Sequence, residues 1–386
     1  MPPSRMFEGP RRQQKLELND ILYYIPTRAR AQAMCGSAPT SLGDQPCVPG
    51  LAFASSAWLR YDGRSECCEV VVDWLEPDER EMNEGNWERP VTRRTLLKLW
   101  LGVVAGGATA MGFGAFYTTS LEPGWIEVVR RDVPLPNLAP DLEGLTIALL
   151  SDLHVGAVVS PSHVAKAVAL ANELEPELVA VVGDFVTGAG GYAIACAREL
   201  AALKAPLGVF GVLGNHDVWA DPRLIVEMLS RNGVAVLRDE TAAVRRGAAS
   251  LSLVGLEDSG YSGSASMTPE VLSLRWRGKM ALARKLLSSA QGTDLTILLV
   301  HNPDVNEFLE DAPVDLALSG HTHGGQIVLP FLGPPLLPSS FGQKYAAGLV
   351  QGPSSPVYVT RGVGMTRPAV RLNCRPEVTL LTLRSA

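Results

Sequence analysis

Five short polar clusters stand out from a chain that is otherwise poor in charge: Ser151-Asp152-Leu153-His154, Gly183-Asp184, Gly214-Asn215-His216-Asp217, His301-Asn302-Pro303 and Gly320-His321-Thr322-His323. They hold five of the six histidines. Imidazole, carboxylate and amide oxygen together make a donor set suited to manganese, iron or zinc. No thiolate belongs to the set, which removes a structural zinc site. Asp152 and His154, like His321 and His323, are two positions apart, and in an extended segment such a pair projects to the same side. Gly183, Gly214 and Gly320 each precede a candidate ligand, where a strand has to turn sharply and let backbone come close.

Each cluster follows an apolar run: Ile147–Leu150, Leu178–Val182, Val209–Leu213, Thr296–Val300 and Asp315–Ser319. In open α/β sheets, ligands gather beyond the carboxyl ends of the strands, so five such ends would converge on one crevice. Helical patterns at Val164–Leu174, Ala193–Leu203 and Leu224–Arg231 alternate with the early strands. Further strands are expected at Val234–Leu237, Leu251–Leu256, Gln326–Leu329, Val357–Thr360 and Val378–Leu383. Alternation followed by a run of strands predicts an α/β fold, a layered sandwich of mixed β-sheets flanked by helices.

In order and spacing the clusters resemble the calcineurin-like metallophosphoesterase superfamily, whose pattern is D-x-H, G-D, G-N-H-D, a lone H and G-H-x-H. All five occur here with no ligand position substituted, over about residues 145–330 and more loosely 125–386. The resemblance implies two divalent metal ions. Asp152, His154 and His323 would hold one, Asn215, His301 and His321 the other, and Asp184 would bridge them. His216 would be the acid facing the leaving group, oriented by Asp217. Two such ions, about 3.5–4 Å apart, clamp a phosphoryl group for in-line attack by a bridging hydroxide. The SDLH start and GHTHGGQ ending look like a bacterial membrane-associated branch, which includes phosphodiesterases linked to UDP-2,3-diacylglucosamine and lipid A synthesis.

Other residues carry weaker signals. His163 follows Ser160-Pro161-Ser162 at a helix start and is expected at the surface. Tyr192, Trp219, Tyr261 and Trp276 either line a cleft or, by default, pack. Arg361, Arg367 and Arg371 either contact phosphate or are solvated charge, the second being the ordinary case. Asp315 and Glu377 are read as strand-flanking acids. Cys35, Cys47, Cys67 and Cys68 lack metal-ligand spacing. Pairing of Cys196 with Cys374 is left open.

The chain has 386 residues, 46% hydrophobic and 19% charged, with a net charge of −6. Nothing in that balance attracts nucleic acid. Leu99–Tyr117 carries no charge and is close to a membrane span in length. Thr92-Arg93-Arg94-Thr95-Leu96-Leu97-Lys98 before it resembles a twin-arginine export signal; the other reading is a positive-inside membrane anchor. Both put the following domain outside the cytoplasm, on the periplasmic or cell-wall side. The organisation expected is an N-terminal extension over 1–90 with a true start near Met82, a signal or anchor over 91–120, and a metallophosphoesterase domain over 121–386. The leading function is hydrolysis of a phosphodiester or pyrophosphate bond in a lipid-linked or nucleotide-linked phosphate, at the membrane. The alternatives are an exported phosphomonoesterase or nucleotide phosphodiesterase, and a non-catalytic membrane-bound module, which intact ligands argue against. UDP-linked lipid A precursors are cytoplasmic, so export makes that substrate a poorer fit.

Overall fold

The computed structural model describes residues 91–260 and 268–386. The expected extension and the start at Met82, like Tyr261, lie outside the described residues.

A first helix, α1 (Arg93–Phe116), begins at Thr92, whose side chain accepts from the Thr95 N–H. All of its residues are exposed, and by length and composition it can cross a membrane. It continues through a wide turn, Tyr117–Leu121, into a helical turn, α2 (Glu122–Gly124).

Twelve strands follow among the described residues: β1 (Glu127–Leu135), β2 (Thr146–Leu150), β3 (Leu178–Val182), β4 (Val209–Val212), β5 (Ala235–Val236), β6 (Glu240–Arg246), β7 (Ala249–Leu256), β8 (Leu295–Val300), β9 (Leu316–Ser319), β10 (Gly348–Gln351), β11 (Pro356–Val359) and β12 (Glu377–Ser385). The helices between them are α3 (Pro161–Glu173), α4 (Tyr192–Leu200), α5 (Asn215–Ala220), α6 (Pro222–Arg231) and α7 (Pro269–Ser289). One six-stranded sheet has the order β1-β12-β2-β3-β4-β5 and the other β10-β11-β9-β8-β7-β6. Within them β2 to β5 run parallel, as do β7, β8, β9 and β11.

The continuous apolar runs are those of strands covered on both faces. Ile147 and Leu149 point into the layer between the sheets with Ile297 and Leu299. Their neighbours Ala148 and Leu150 turn outward onto α3, α4 and α6, and Leu298 and Val300 turn onto α7. The result is the expected sandwich of mixed sheets flanked by helices. β1, β6, β10 and α7 were not legible as periodic segments. Gln326–Leu329 does not form a ladder strand. It makes only isolated bridges, Ile327 to Leu372 and Leu329 to Gly333. Cys196 and Cys374 are free, so no disulfide joins them.

Candidate metal centre

Because β2, β3, β4, β8 and β9 run in a common sense within their sheets, the residues after their C-terminal ends come together. Three groups of potential ligand atoms result, each within 4.8 Å: Asp152, His154 and His323; His154, Asp184 and His216; Asp184, His301 and His321. Asn215 lines the same cavity. Asp184 Oδ2 stands 3.1 Å from His301 Nε2 and 3.5 Å from His154 Nε2. Asp152 Oδ1 stands 3.3 Å from His323 Nε2. Asp184 is thus the carboxylate between the two halves of the cluster.

The local backbone is strained here. Asp152, His154, Asp184, His321 and His323 all have φ between 48° and 71°. Each non-glycine residue held there costs of order 1–3 kcal/mol, and such strain persists only where the surroundings over-determine it. Two glycines allow the close packing behind the ligands. A Cβ on Gly214 would sit 2.2 Å from Asp184 Oδ1, and one on Gly320 2.4 Å from Asp152 Oδ2.

Hydrogen bonds orient the ligands. His301 Nδ1–H donates to the Val182 carbonyl at 2.7 Å, so Nε2 is the ring nitrogen that faces Asp184. His154 Nδ1 meets Thr187 Oγ1 at 2.6 Å. The His321 N–H donates to the Asp152 carboxylate and the His216 N–H to Asp184 Oδ1. Asp217 departs from its expected role. Its carboxylate accepts from the Gly214 and Val186 N–H groups, and no hydrogen bond joins it to the His216 imidazole among the described residues. It holds the turn that carries His216, whose ring packs against His154 and Trp219, each at 4.8 Å between centroids.

The electrostatics favour the metal-ligand form at Asp152 and Asp184, as carboxylates, and at His321 and His323, as neutral imidazoles. Burial resists ionisation of Asp152, but His323, His154 and His301 around it hold its carboxyl well below the usual range. Burial likewise opposes Asp184, and His301 and His154 pull it down. Burial, with His301 adding to it, pushes His321 to about 3, and burial lowers His323 and His216. His301 is the exception. Burial opposes its charge, yet the adjacent Asp184 raises it to about 10. Asp217, buried and facing Asp184, rises to about 7.

The cluster forms the floor of a cavity of about 730 Å³. Tyr192, Trp219, Val158, Met365 and Pro338 line it with Arg367. Tyr192 and Trp219 therefore take the cleft reading, whereas Trp276, on the inner face of α7, is buried in the core. Arg361 pairs with Glu377 and Glu127. Arg371 is not solvated: it is fully buried and donates to the carbonyls of Arg361, Gly364 and Cys374. Glu377 is buried as well, while Asp315 accepts from the Thr296 N–H at the strand end as expected. His163 is half-buried, its Nε2–H donating to the Val363 carbonyl. Thr187, Met365 and the loop at Gly362–Gly364 had no signal in the sequence, because nothing in their types marks them and only folding brings them to the ligands.

The sequence model of the family described as calcineurin-like phosphoesterase matches residues 145–325. The metallophosphoesterase YkuE of Bacillus subtilis is 33% identical over 77% of this chain and 99% of its own length. The phosphodiesterase YaeI of Escherichia coli is 33% identical over 76% and 99%. A zebrafish transmembrane protein with a metallophosphoesterase domain is 31% identical over 67% of this chain and 58% of its own length. With the ordered motifs and the clustered donors, this shows that the chain belongs to the calcineurin-like phosphoesterase family.

Proposed function

We propose that the chain is a phosphoester hydrolase that uses two divalent metal ions (manganese, iron or zinc) to cleave a phosphodiester or pyrophosphate bond. The observation that carries this reading is a pair of buried acceptors aimed into the cluster with no hydrogen-bond partner, Asn215 Oδ1 and His321 Nε2, beside His301 Nε2, which faces only the Asp184 carboxylate. An unmet buried polar atom costs about 1–3 kcal/mol, and a cation satisfies both at once. Asp152, His154 and His323 would hold one ion, Asn215, His301 and His321 the other, and Asp184 both. When bound, the ions supply Lewis acidity toward the phosphoryl oxygens.

The chain's own residues do the rest. His216 borders the cavity beside Asp184 and gives its proton to the departing oxygen. Burial lowers its pKa, so the imidazolium is a stronger acid, while a smaller share of the free chain carries that proton at neutral pH. The Asp217-held turn fixes where that imidazole stands. Arg367 attracts the phosphate. The apolar walls exclude water and accept a leaving group larger than phosphate itself, a lipid-linked or nucleotide-linked one. UDP-2,3-diacylglucosamine belongs to this class, but an exported domain would stand on the other side of the membrane from it. The alternative of a general phosphomonoesterase lacks a comparable use for those walls.

Arg93 and Arg94 open α1 and are exposed. They fit a twin-arginine signal whose apolar helix anchors the domain outside the cytoplasm. Metal analysis of the purified chain, combined with a panel of phosphomonoesters, phosphodiesters and UDP-linked lipids, tests the reading. About two ions per chain and preference for a diester or anhydride support it. One ion or none at full activity, or preference for small monoesters, overturns it.

A further inference from the structure

A loop beside the active site presents large apolar side chains to solvent and is built to keep them there. Phe331, Leu332 and Leu336 are exposed by 108%, 73% and 78%. Phe331 adopts φ 65°, a conformation that a bulky residue rarely takes without compensation. The loop is not held loosely. Gln343 Nε2 donates to the carbonyls of Leu332 and Pro334, at 3.0 and 3.1 Å. The Leu329 N–H donates to the Gly333 carbonyl. Pro330, Pro334 and Pro335 stiffen what remains. A rigid apolar projection in a charge-poor chain marks an interaction surface.

What it meets is indicated by the strip Arg371–Arg375. On one side this strip grips the wide turn and α2 that follow α1. The Arg371 N–H donates to the Thr118 carbonyl at 2.9 Å, and the Cys374 N–H to Glu122 Oε1 at 2.6 Å. On the other side it grips the foot of the loop. The Leu372 N–H donates to the Gln326 carbonyl, the Val328 N–H to the Leu372 carbonyl, and Asn373 Nδ2 to the Val328 carbonyl. The Arg375 guanidinium, next in the strip, lies 3.6 Å over the ring of Trp125, which is itself 54% exposed. Trp and Arg are residues of the membrane–water interface. The segment that follows α1, the exposed aromatic–cation pair and the foot of the apolar loop are therefore joined through one strip of chain.

We infer that the loop Leu329–Leu337 inserts its apolar side chains into the surface of the lipid bilayer that α1 enters. This holds the active-site cavity, which Pro338 lines at the loop's foot, at the membrane surface. The inference rests on the membrane reading of α1 given above. It adds a second, separate contact with lipid, which a tether alone does not require.

The test uses the full chain in vesicles of phosphatidylcholine and phosphatidylglycerol. The photoreactive residue p-benzoylphenylalanine replaces Leu332, Val103 on α1 or Leu274 on α7 in three variants. Leu274, 63% exposed, is the control. Lipid adduct at Leu332 should exceed that at Leu274 by roughly tenfold, the preference that burying one large apolar side chain confers. Strong adduct at Val103 with Leu332 no better than Leu274 overturns the loop contact and leaves α1 as an anchor. Adduct at Leu332 but not at Val103 supports the loop and overturns the span. Cross-linking of Leu332 to another copy of the chain instead of lipid overturns the inference in favour of a protein partner. No lipid adduct at any position overturns both.

Discussion

Gly320→Ala is the sharpest test of whether this cluster is the working site. The added Cβ would stand 2.0 Å from Ser151 Oγ and 2.4 Å from Asp152 Oδ2, where ordinary contact begins at 3.4 Å. Relief requires a displacement of about 1 Å or more, in an interior packed too densely to absorb it freely. Neither neighbour can step aside at no cost. Ser151 Oγ donates to the Val182 carbonyl at 2.9 Å, and the Asp152 carboxylate accepts from the His321 N–H at 3.0 Å. Overpacking of this kind costs roughly 1–3 kcal/mol of stability, a Tm decrease of roughly 2–12 °C. Misplacing a catalytic group by about 1 Å costs about 100-fold in rate. The variant should therefore stay folded, lose metal and fall about 100-fold in kcat/KM on a p-nitrophenyl phosphodiester. Gly278→Ala on α7, where the added Cβ meets nothing within 4 Å, should keep full activity. It should also gain about 0.5–1 kcal/mol of stability, as Ala does over Gly inside a helix. A Gly320→Ala chain with full metal content and turnover within a factor of two of the parent would refute the assignment of Asp152.

Asp184→Asn should deplete both ions together and abolish turnover; retention of two ions by mass spectrometry would show that Asp184 does not join the halves. His216→Ala should cut kcat by about 10²–10⁴, and less for p-nitrophenolate than for an alkoxide leaving group. An equal loss across leaving groups would assign His216 to positioning instead. His301 is raised in the fold to about 10 from 6.5. Its contribution to the stability of the metal-free chain is thus fully present below pH 6.5 and lost as pH rises through 10. Calorimetry of the chelated chain should show Tm falling between pH 7 and 10, more steeply than in the metal-loaded chain, where an ion takes the place of that proton. Equal slopes would contradict the account of His301. Changing Arg93 and Arg94 to Lys should block export by the twin-arginine route and leave an ordinary anchor working; normal amounts of the variant at the outer face would remove the twin-arginine reading.

The ligand types, their order and the strands before them could be read from the chain because each is a local property. An apolar β-branched run announces a strand, and a polar cluster with glycine announces its end. Parallel strands share one carboxyl edge, so the convergence of Asp152, Asp184, His301 and His321 followed from topology that alternation already implied. Tertiary structure decided what depends on distant segments. Arg371 looked like solvated charge, yet folding buries it among the carbonyls of Arg361, Gly364 and Cys374. Asp217 sits next to His216 in sequence, but its carboxylate turns back to the Gly214 and Val186 N–H groups. Thr187 became the partner of His154, and Gln326–Leu329 lost its strand because it pairs only at isolated bridges. Backbone donors and buried guanidinium groups take whichever acceptors the assembled fold leaves within reach, and no periodicity along the chain encodes that choice.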